Sequence, residues 1–204
     1  MEKGILVILS GPSGSGKDTI LEELLKINPD ISLSTSLTTR TKRNWEEDGK
    51  HYYFVTREYF LKKLDEGMVL EHVQYGENFY GVPKQPVDEL LAQGKTVILK
   101  IEVQGAEKIR SLYPDVCSIF LMPPSLPVLE SRLRQRETED EEEIQRRLSI
   151  AAGEMQRAGE YDYIIVNDCI DTATADVNAI LRAEEHRAAH VKHHIAALIR
   201  PNEV

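Results

Sequence analysis

Cysteine is scarce in this chain. Only Cys117 and Cys169 occur in 204 residues, far apart and each among apolar neighbours. That usage suits neither a disulfide framework nor a cysteine metal site, and both are expected to be buried thiols in a reducing cytoplasm. Basic charge is also in deficit: 25 Lys and Arg against 34 Asp and Glu leave a net charge of −9. So acidic a chain is poorly suited to grip a nucleic-acid backbone, so no nucleic-acid partner is expected and any anionic ligand needs a local basic site. Long apolar runs are missing, none approaching the ~18 residues of a membrane span, so no membrane partner is expected either. Lys3 precedes only a short strand-like run, which does not read as a signal peptide. What is present, 41% hydrophobic and 29% charged residues, is the composition of a globular protein, and the length suits one domain better than two.

Short apolar runs alternate with helical patterns, the signature of an α/β fold with a parallel sheet flanked by helices. The strand candidates are Ile5 to Leu9, Thr96 to Leu99, Ser118 to Met122 and Tyr163 to Val166. Their continuous apolar character fits strands buried on both faces, and their carboxyl ends should rim a ligand crevice. The first helix places Ile20, Leu24 and Leu25 on one face. Residues 32–83 have a different texture, rich in Ser, Thr, Tyr and Arg. They carry one clear helix that Thr56 caps, with Phe60, Leu61 and Leu64 inward and Gly67 as its stop. Residues 125–160 read as a second insertion of two helices, the first capped by Ser125, separated by six acids between Glu137 and Glu143. That charge block reads as a solvated turn.

The segment Gly11-Pro12-Ser13-Gly14-Ser15-Gly16-Lys17-Asp18-Thr19 follows a strand and opens a helix. The spacing G-x-x-x-x-G-K fits a P-loop, in which small residues let backbone N–H groups curl around phosphates at a helix N-terminus. Lys17 would supply a point charge to the outer phosphates of a nucleotide. Asp18 stands where the pattern ends in Ser or Thr, so Thr19 is the hydroxyl offered to Mg²⁺. The loop indicates a nucleotide without indicating the reaction.

Further residues narrow it. Ser34-Thr35-Ser36-Leu37-Thr38-Thr39-Arg40-Thr41-Lys42-Arg43 resembles the S-x-S-x-T-T-R-x-x-R stretch of guanylate kinases. Asp48 to Val55, Leu70-Glu71-His72, Asn78-Phe79-Tyr80-Gly81, Val103-Gln104-Gly105-Ala106 and Ile165-Val166-Asn167-Asp168 follow in matching order. The resemblance runs from about residue 4 to 182 and implies a P-loop NTPase-like domain, with core 1–31, 84–124 and 161–182. It also implies an NMP-binding insertion at 32–83, a helical lid at 125–160, and transfer of the γ-phosphoryl group of ATP to GMP or dGMP with Mg²⁺. Arg40 and Arg43 would fork onto the acceptor phosphate, and Tyr52 and Tyr80 would donate hydroxyl hydrogens to it. Arg132 and Arg136, four apart on one helix, would act with Arg147 from the lid. Asn167 would join the loop in holding ATP.

By the same resemblance Glu71 is the carboxylate that reads guanine, with Ser36, Val82 and Glu102 lining the acceptor site. Val82 replaces a hydroxyl residue, which removes one hydrogen bond worth ~0.5–1.5 kcal/mol. Lys100 replaces an acid two residues before Glu102, on what reads as the same strand face. Two rivals follow: a monophosphate kinase with an altered base preference, and a non-catalytic guanylate-kinase-like protein-binding module. Beyond residue 182 a helical extension at 183–204 carries Ala188, Val191, Ile195 and Leu198 as a stripe. It also carries His186, His190, His193 and His194. The stripe suits packing on the domain or on a second subunit in a homodimer, and the histidines suit a solvated face better than a metal site.

Overall fold

A branched apolar run without a polar interruption is stable as a strand only where both faces are covered. Leu6–Ser10 (β1) meets that condition, with all five residues buried. The computed structural model describes residues 4–135 and 140–190; Arg136, part of the acidic run and the tail from 191 onward lie outside the described residues. In it β1 is the centre of a five-stranded sheet, flanked by Thr96–Lys100 (β7) and Cys117–Met122 (β8), with Ile31–Leu33 (β2) and Tyr163–Val166 (β9) at the edges. Every pairing in this sheet is parallel, which requires crossover connections that cover its faces.

Those connections are helices. Lys17–Ile27 (α1) and Ile170–Glu184 (α7) cover one face, where Ile20, Leu24, Val177 and Leu181 pack with Val7, Leu9 and Ile119. Lys84–Ala92 (α3) and Val103–Leu112 (α4) cover the other, where Val87, Leu91, Ala106 and Ile109 meet Leu6, Ile8 and Phe120. Met122 and Val166 pair at the ends of β8 and β9, and Leu9 pairs with Lys100 near the ends of β1 and β7. Strand ends on both sides of β1 therefore open into one crevice.

Between β2 and α3 the chain builds a second, four-stranded sheet in the order β4-β3-β6-β5, from Tyr53–Phe54 (β4), Leu37–Thr38 (β3), Asn78–Pro83 (β6) and Val69–Tyr75 (β5). Arg57–Asp65 (α2) packs on it, with Thr56 accepting from the Tyr59 amide and Gly67 ending it at φ 68°. The whole subdomain rests on Leu37, Phe60, Val69 and Phe79, with the Phe60 and Phe79 rings stacked at 5.3 Å. In a core this small the ~3–5 kcal/mol typical of Phe→Ala would remove most of its cohesion.

Leu126–Arg134 (α5) and Glu141–Gln156 (α6) form a helical pair around Leu129, Leu133 and Ala151. Ser125 caps α5 and Asp140 caps α6. Acids Glu141 to Glu143 are therefore the first turn of a helix, where its dipole favours them, and not a solvated turn. Among the described residues no helix is long and apolar enough to cross a membrane.

Several expectations need correction. β2 belongs to the main sheet, so the insertion begins after Leu33 and not at 32. Leu61 and Leu25 are exposed, because Leu64 and Leu21 take the inward positions. Ile164 and Val166 are about half exposed, since β9 is an edge strand covered on one face. Cys169 is exposed at the start of α7 while Cys117 is buried. The 182/183 division falls inside α7. His190 lies with Nδ1 2.8 Å from the Glu184 carbonyl and Nε2 3.1 Å from the Asp115 carbonyl, and among the described residues no three His, Cys, Asp or Glu converge as metal ligands.

Candidate active site

The loop between β1 and α1 is shaped by contacts its glycines permit. Gly16 has φ 98° and caps α1, and a Cβ there would lie 2.3 Å from Asn167 Nδ2. That amide donates to the Ser15 carbonyl at 2.8 Å, so Asn167 braces the loop from the end of β9. Arg132 of α5 donates to the Asn167 carbonyl at 2.8 Å, and Arg147 of α6 donates to Ser13 Oγ at 2.9 Å. Both helices are thereby tied to the glycine loop. Arg132 Nη1 and Asn167 Oδ1 are buried without partners, groups that a ligand in the loop could satisfy.

Lys17 folds back over the loop and donates to the carbonyls of Gly11 (2.5 Å) and Pro12 (3.0 Å). Burial lowers its pKa to about 8 against the pull of Glu154, Glu102 and Asp18. It remains mostly charged at neutral pH. Asp18 and Thr19 are exposed on the first turn of α1. Lys100 does not turn to Glu102; its ammonium pairs with Asp18, across from β7 to α1. β7 ends at Lys100, and Glu102 is the N-cap of α4, so the two residues do not share a strand face.

The second sheet carries the other charged group. Arg40 is half-buried and forks onto Glu46 with Nη1–Oε2 3.0 Å and Nη2–Oε1 2.6 Å, while Nη1 also donates to the Thr41 carbonyl. Its guanidinium lies 5.7 Å from the Tyr52 ring centre and 5.8 Å from that of Phe54. Tyr52 in turn stands edge-on to Tyr80. The Arg40 hydrogen bonds, aided by the Arg43 amide at 2.7 Å, hold the buried Glu46 carboxyl well below the usual carboxylate range. Arg43 itself is exposed and Ser36 is half-buried just before β3.

Glu71 on β5 is 5% exposed, and its Oε2 has no hydrogen-bond partner. It lies against the first turn of α4, where a Cβ on Gly105 would be 2.4 Å from Oε2. Burial, then the charge of Glu102, pushes its pKa up to about 7. Val82 is its cross-strand partner and is buried in the hydrophobic core, offering no polar atom. A buried acid with an unspent oxygen, sharing its neighbour Glu102 with Lys17 of a phosphate-type loop, is the arrangement of a ligand site, not of a structural core.

Sequence comparison settles the family. A family model described as guanylate kinase matches residues 3–184. The chain belongs to the guanylate kinase family. It is 45% identical over 195 residues to a guanylate kinase of Carboxydothermus hydrogenoformans, covering 96% of each. With a guanylate kinase of Synechocystis it is 47% identical over 90% of this chain and 96% of the other. Its fold is similar to the crystal structure of guanylate kinase from Anaplasma phagocytophilum, with a TM-score of 0.75, 37% identity, and 93% and 90% of the two chains covered.

In this member of the guanylate kinase family, Lys17, Glu71 and Glu102 of the expected residues act on one another, while Arg40, Tyr52 and Tyr80 are grouped on the second sheet. Lys17 feels the charges of Glu102 and Glu154, and Glu71 feels Glu102, so the loop, α4, α6 and the β5–β6 hairpin share one electrostatic neighbourhood. Arg147 reaches the loop at Ser13, Arg132 reaches Asn167 behind it, and Arg136 lies outside the described residues. Sequence reasoning missed Glu46, Tyr75 and Glu154. Glu46 had a usable signal: an arginine held half-buried in a polar segment requires a carboxylate, and Glu46 is the first acid after Arg40 and Arg43. Tyr75 and Glu154 had none, because only the tertiary fold brings them to the crevice.

Proposed function

We propose that the chain is a cytoplasmic enzyme that transfers the γ-phosphoryl group of ATP to GMP, and to dGMP, giving ADP and GDP. The observation that carries this reading is Glu71: a buried carboxylate with an unpartnered oxygen, whose charged neighbour Glu102 also acts on Lys17 of the glycine loop. Guanine presents two adjacent donors, N1–H and the exocyclic amine, that one carboxylate can accept together. Adenine lacks that pair. A buried acid built for such donors is left unsatisfied by the wrong base, which gives strong discrimination.

An oxygen of the GMP phosphate attacks the γ-phosphorus, and the bond from that phosphorus to the β-phosphate oxygen breaks as ADP leaves. The attacking oxygen is already anionic, so no general base is needed and the protein contributes position and charge. The loop amides and Lys17 hold the donor phosphates, Lys17 leaving the Gly11 and Pro12 carbonyls for them. Arg40, already aimed by Glu46, and Arg43 take the acceptor phosphate with Tyr52 and Tyr80. Arg132 and Arg147 draw α5 and α6 over the loop and exclude water. Asn167 holds the Ser15 carbonyl through its amide nitrogen and keeps its Oδ1 for the nucleotide.

Mg²⁺ carried with ATP fits these residues. Thr19, exposed on the first turn of α1, is the first hydroxyl residue after the loop's lysine in sequence, and with no cluster of three ligating side chains among the described residues, phosphates and water would supply most of its oxygens. When bound it neutralises charge on the β- and γ-phosphoryl oxygens.

Val82 favours a second reading, a kinase whose base preference has drifted, because it leaves one side of the base site apolar. A coupled ADP-release assay across GMP, dGMP, AMP, UMP and IMP separates the two. GMP and dGMP are expected to give the highest kcat/KM. Equal or faster turnover of AMP or UMP would refute the guanine assignment, and no turnover of any would leave the protein-binding module.

A further inference from the structure

Tyr75 has no part in the chemistry above, yet it joins two parts of the site. It ends β5 at the tip of the β5–β6 hairpin. Alternation places it on the hairpin face of Glu71 and Val73, whose cross-strand partners are Val82 and Tyr80. Its ring stands edge-on to Tyr80 with centroids 6.0 Å apart. Its hydroxyl donates to Glu102 Oε2. This bond runs from the insertion to the core, because Glu102 opens α4 directly after β7.

The state of Glu102 makes the contact informative. Glu102 is the N-cap of α4, but its side chain makes no capping hydrogen bond to its own helix. Its carboxylate is directed to the tyrosine instead, and it stands close enough to Glu71 to raise that acid's pKa. Two acids facing one ligand repel each other unless each is held by its own donor. A phenol on a carboxylate is a charge-assisted bond, stronger than a neutral one. Burial and Glu102 both push the Tyr75 pKa up, so the phenol keeps the proton that it donates. Glu154 and Arg147 of α6 also act on Tyr75, which places it where insertion, core and lid helix converge.

We propose that Tyr75 is a positioning residue for the acceptor nucleotide: by holding one oxygen of Glu102 across the crevice, it fixes the other for the nucleotide's donors and keeps Glu102 away from Glu71. The proposal rests on GMP being the acceptor. Tyr75→Phe keeps the ring against Tyr80 and removes only the hydroxyl. It should raise KM for GMP about five- to tenfold, the equivalent of one charge-assisted hydrogen bond at a half-exposed site. The values of kcat, KM for ATP and Tm should stay within twofold or unchanged. In a Glu102→Gln background the same substitution should cost less than twofold, because the partner is already altered. An unchanged KM in Tyr75→Phe, a parallel fall in kcat and Tm, or a full repeat of the loss in the Glu102→Gln background would each overturn the proposal. Wild-type turnover of GMP tests the acceptor assignment separately; were another monophosphate preferred, the same ratios are read with that acceptor.

Discussion

Around Lys17 the restraints are mostly main chain. The lysine rests on the Gly11 and Pro12 carbonyls, Asn167 holds the Ser15 carbonyl, and the loop hangs from a strand with every residue buried. Around Arg40 and Glu71 the restraints are side chains on a small sheet with a four-residue core: a fork onto Glu46, ring edges between Tyr52, Tyr80 and Tyr75, and an acid with an oxygen unspent. On the proposed reading, the donor half is preorganised by backbone and the acceptor half by charged side chains on the small sheet. Backbone restraint suits a ligand recognised by its phosphates alone. Side-chain restraint suits one recognised by its base, and allows the base site to change without disturbing the phosphate site.

This contrast predicts unequal consequences for equal-looking substitutions. Lys17→Ala removes the charge aimed at the transferring group and should lower kcat by about 10²–10³-fold, the scale for losing one preorganised electrostatic group. Tm should not fall, since burial of the lysine charge disfavours it. A loss under tenfold in single-turnover rate would contradict the role. Arg40→Lys keeps the charge but loses the fork onto Glu46 and onto a phosphate. It should lower kcat/KM for GMP by at least ~10-fold, or 1.4 kcal/mol, with KM for ATP unaffected. An unchanged steady-state value would remove Arg40 from the acceptor site.

The smallest effect is expected at the Asp18–Lys100 pair, which is exposed on both sides. Lys100→Asp turns it into two neighbouring acids near Thr19, and should lower the Mg²⁺ concentration for half-maximal rate by about two- to threefold, as expected for a screened surface charge. Superimposable Mg²⁺ titrations would mean that the pair stands apart from the metal.

The same contrast explains what could be read before the fold was known. The main sheet was legible because buried parallel strands are continuous apolar runs; β9 was located residue for residue, and β1, β8 and the start of β7 to within one residue. The three-residue edge strand β2 was not, since it has too few residues to show a pattern. The glycine loop was legible because its chemistry is local in sequence. Lys100 was misjudged for the opposite reason: its partner Asp18 is 82 residues away, and extending β7 to Glu102 ignored the helix that begins there. Glu46, Tyr75 and Glu154 belong to the side-chain-built half, where contacts depend on how the insertion, core and lid helices meet.

The central claim is that Glu71 reads the guanine edge, and the most direct measurement compares GMP with IMP in wild type and Glu71→Gln. IMP keeps N1–H and lacks the exocyclic amine. With its pKa raised to about 7, Glu71 is largely protonated at pH 6 and must lose that proton to accept both donors. In the folded protein the neutral form is the favoured one, so its contribution to stability is lost as pH rises from the usual carboxylate range (~4.3) towards 7. Affinity for GMP should move oppositely, with KM falling between pH 6 and 8. The account predicts that wild type prefers GMP over IMP by at least about tenfold at pH 8, and that Glu71→Gln brings this ratio close to one and flattens the pH dependence. Equal losses for GMP and IMP in Glu71→Gln, with the pH dependence retained, would contradict it.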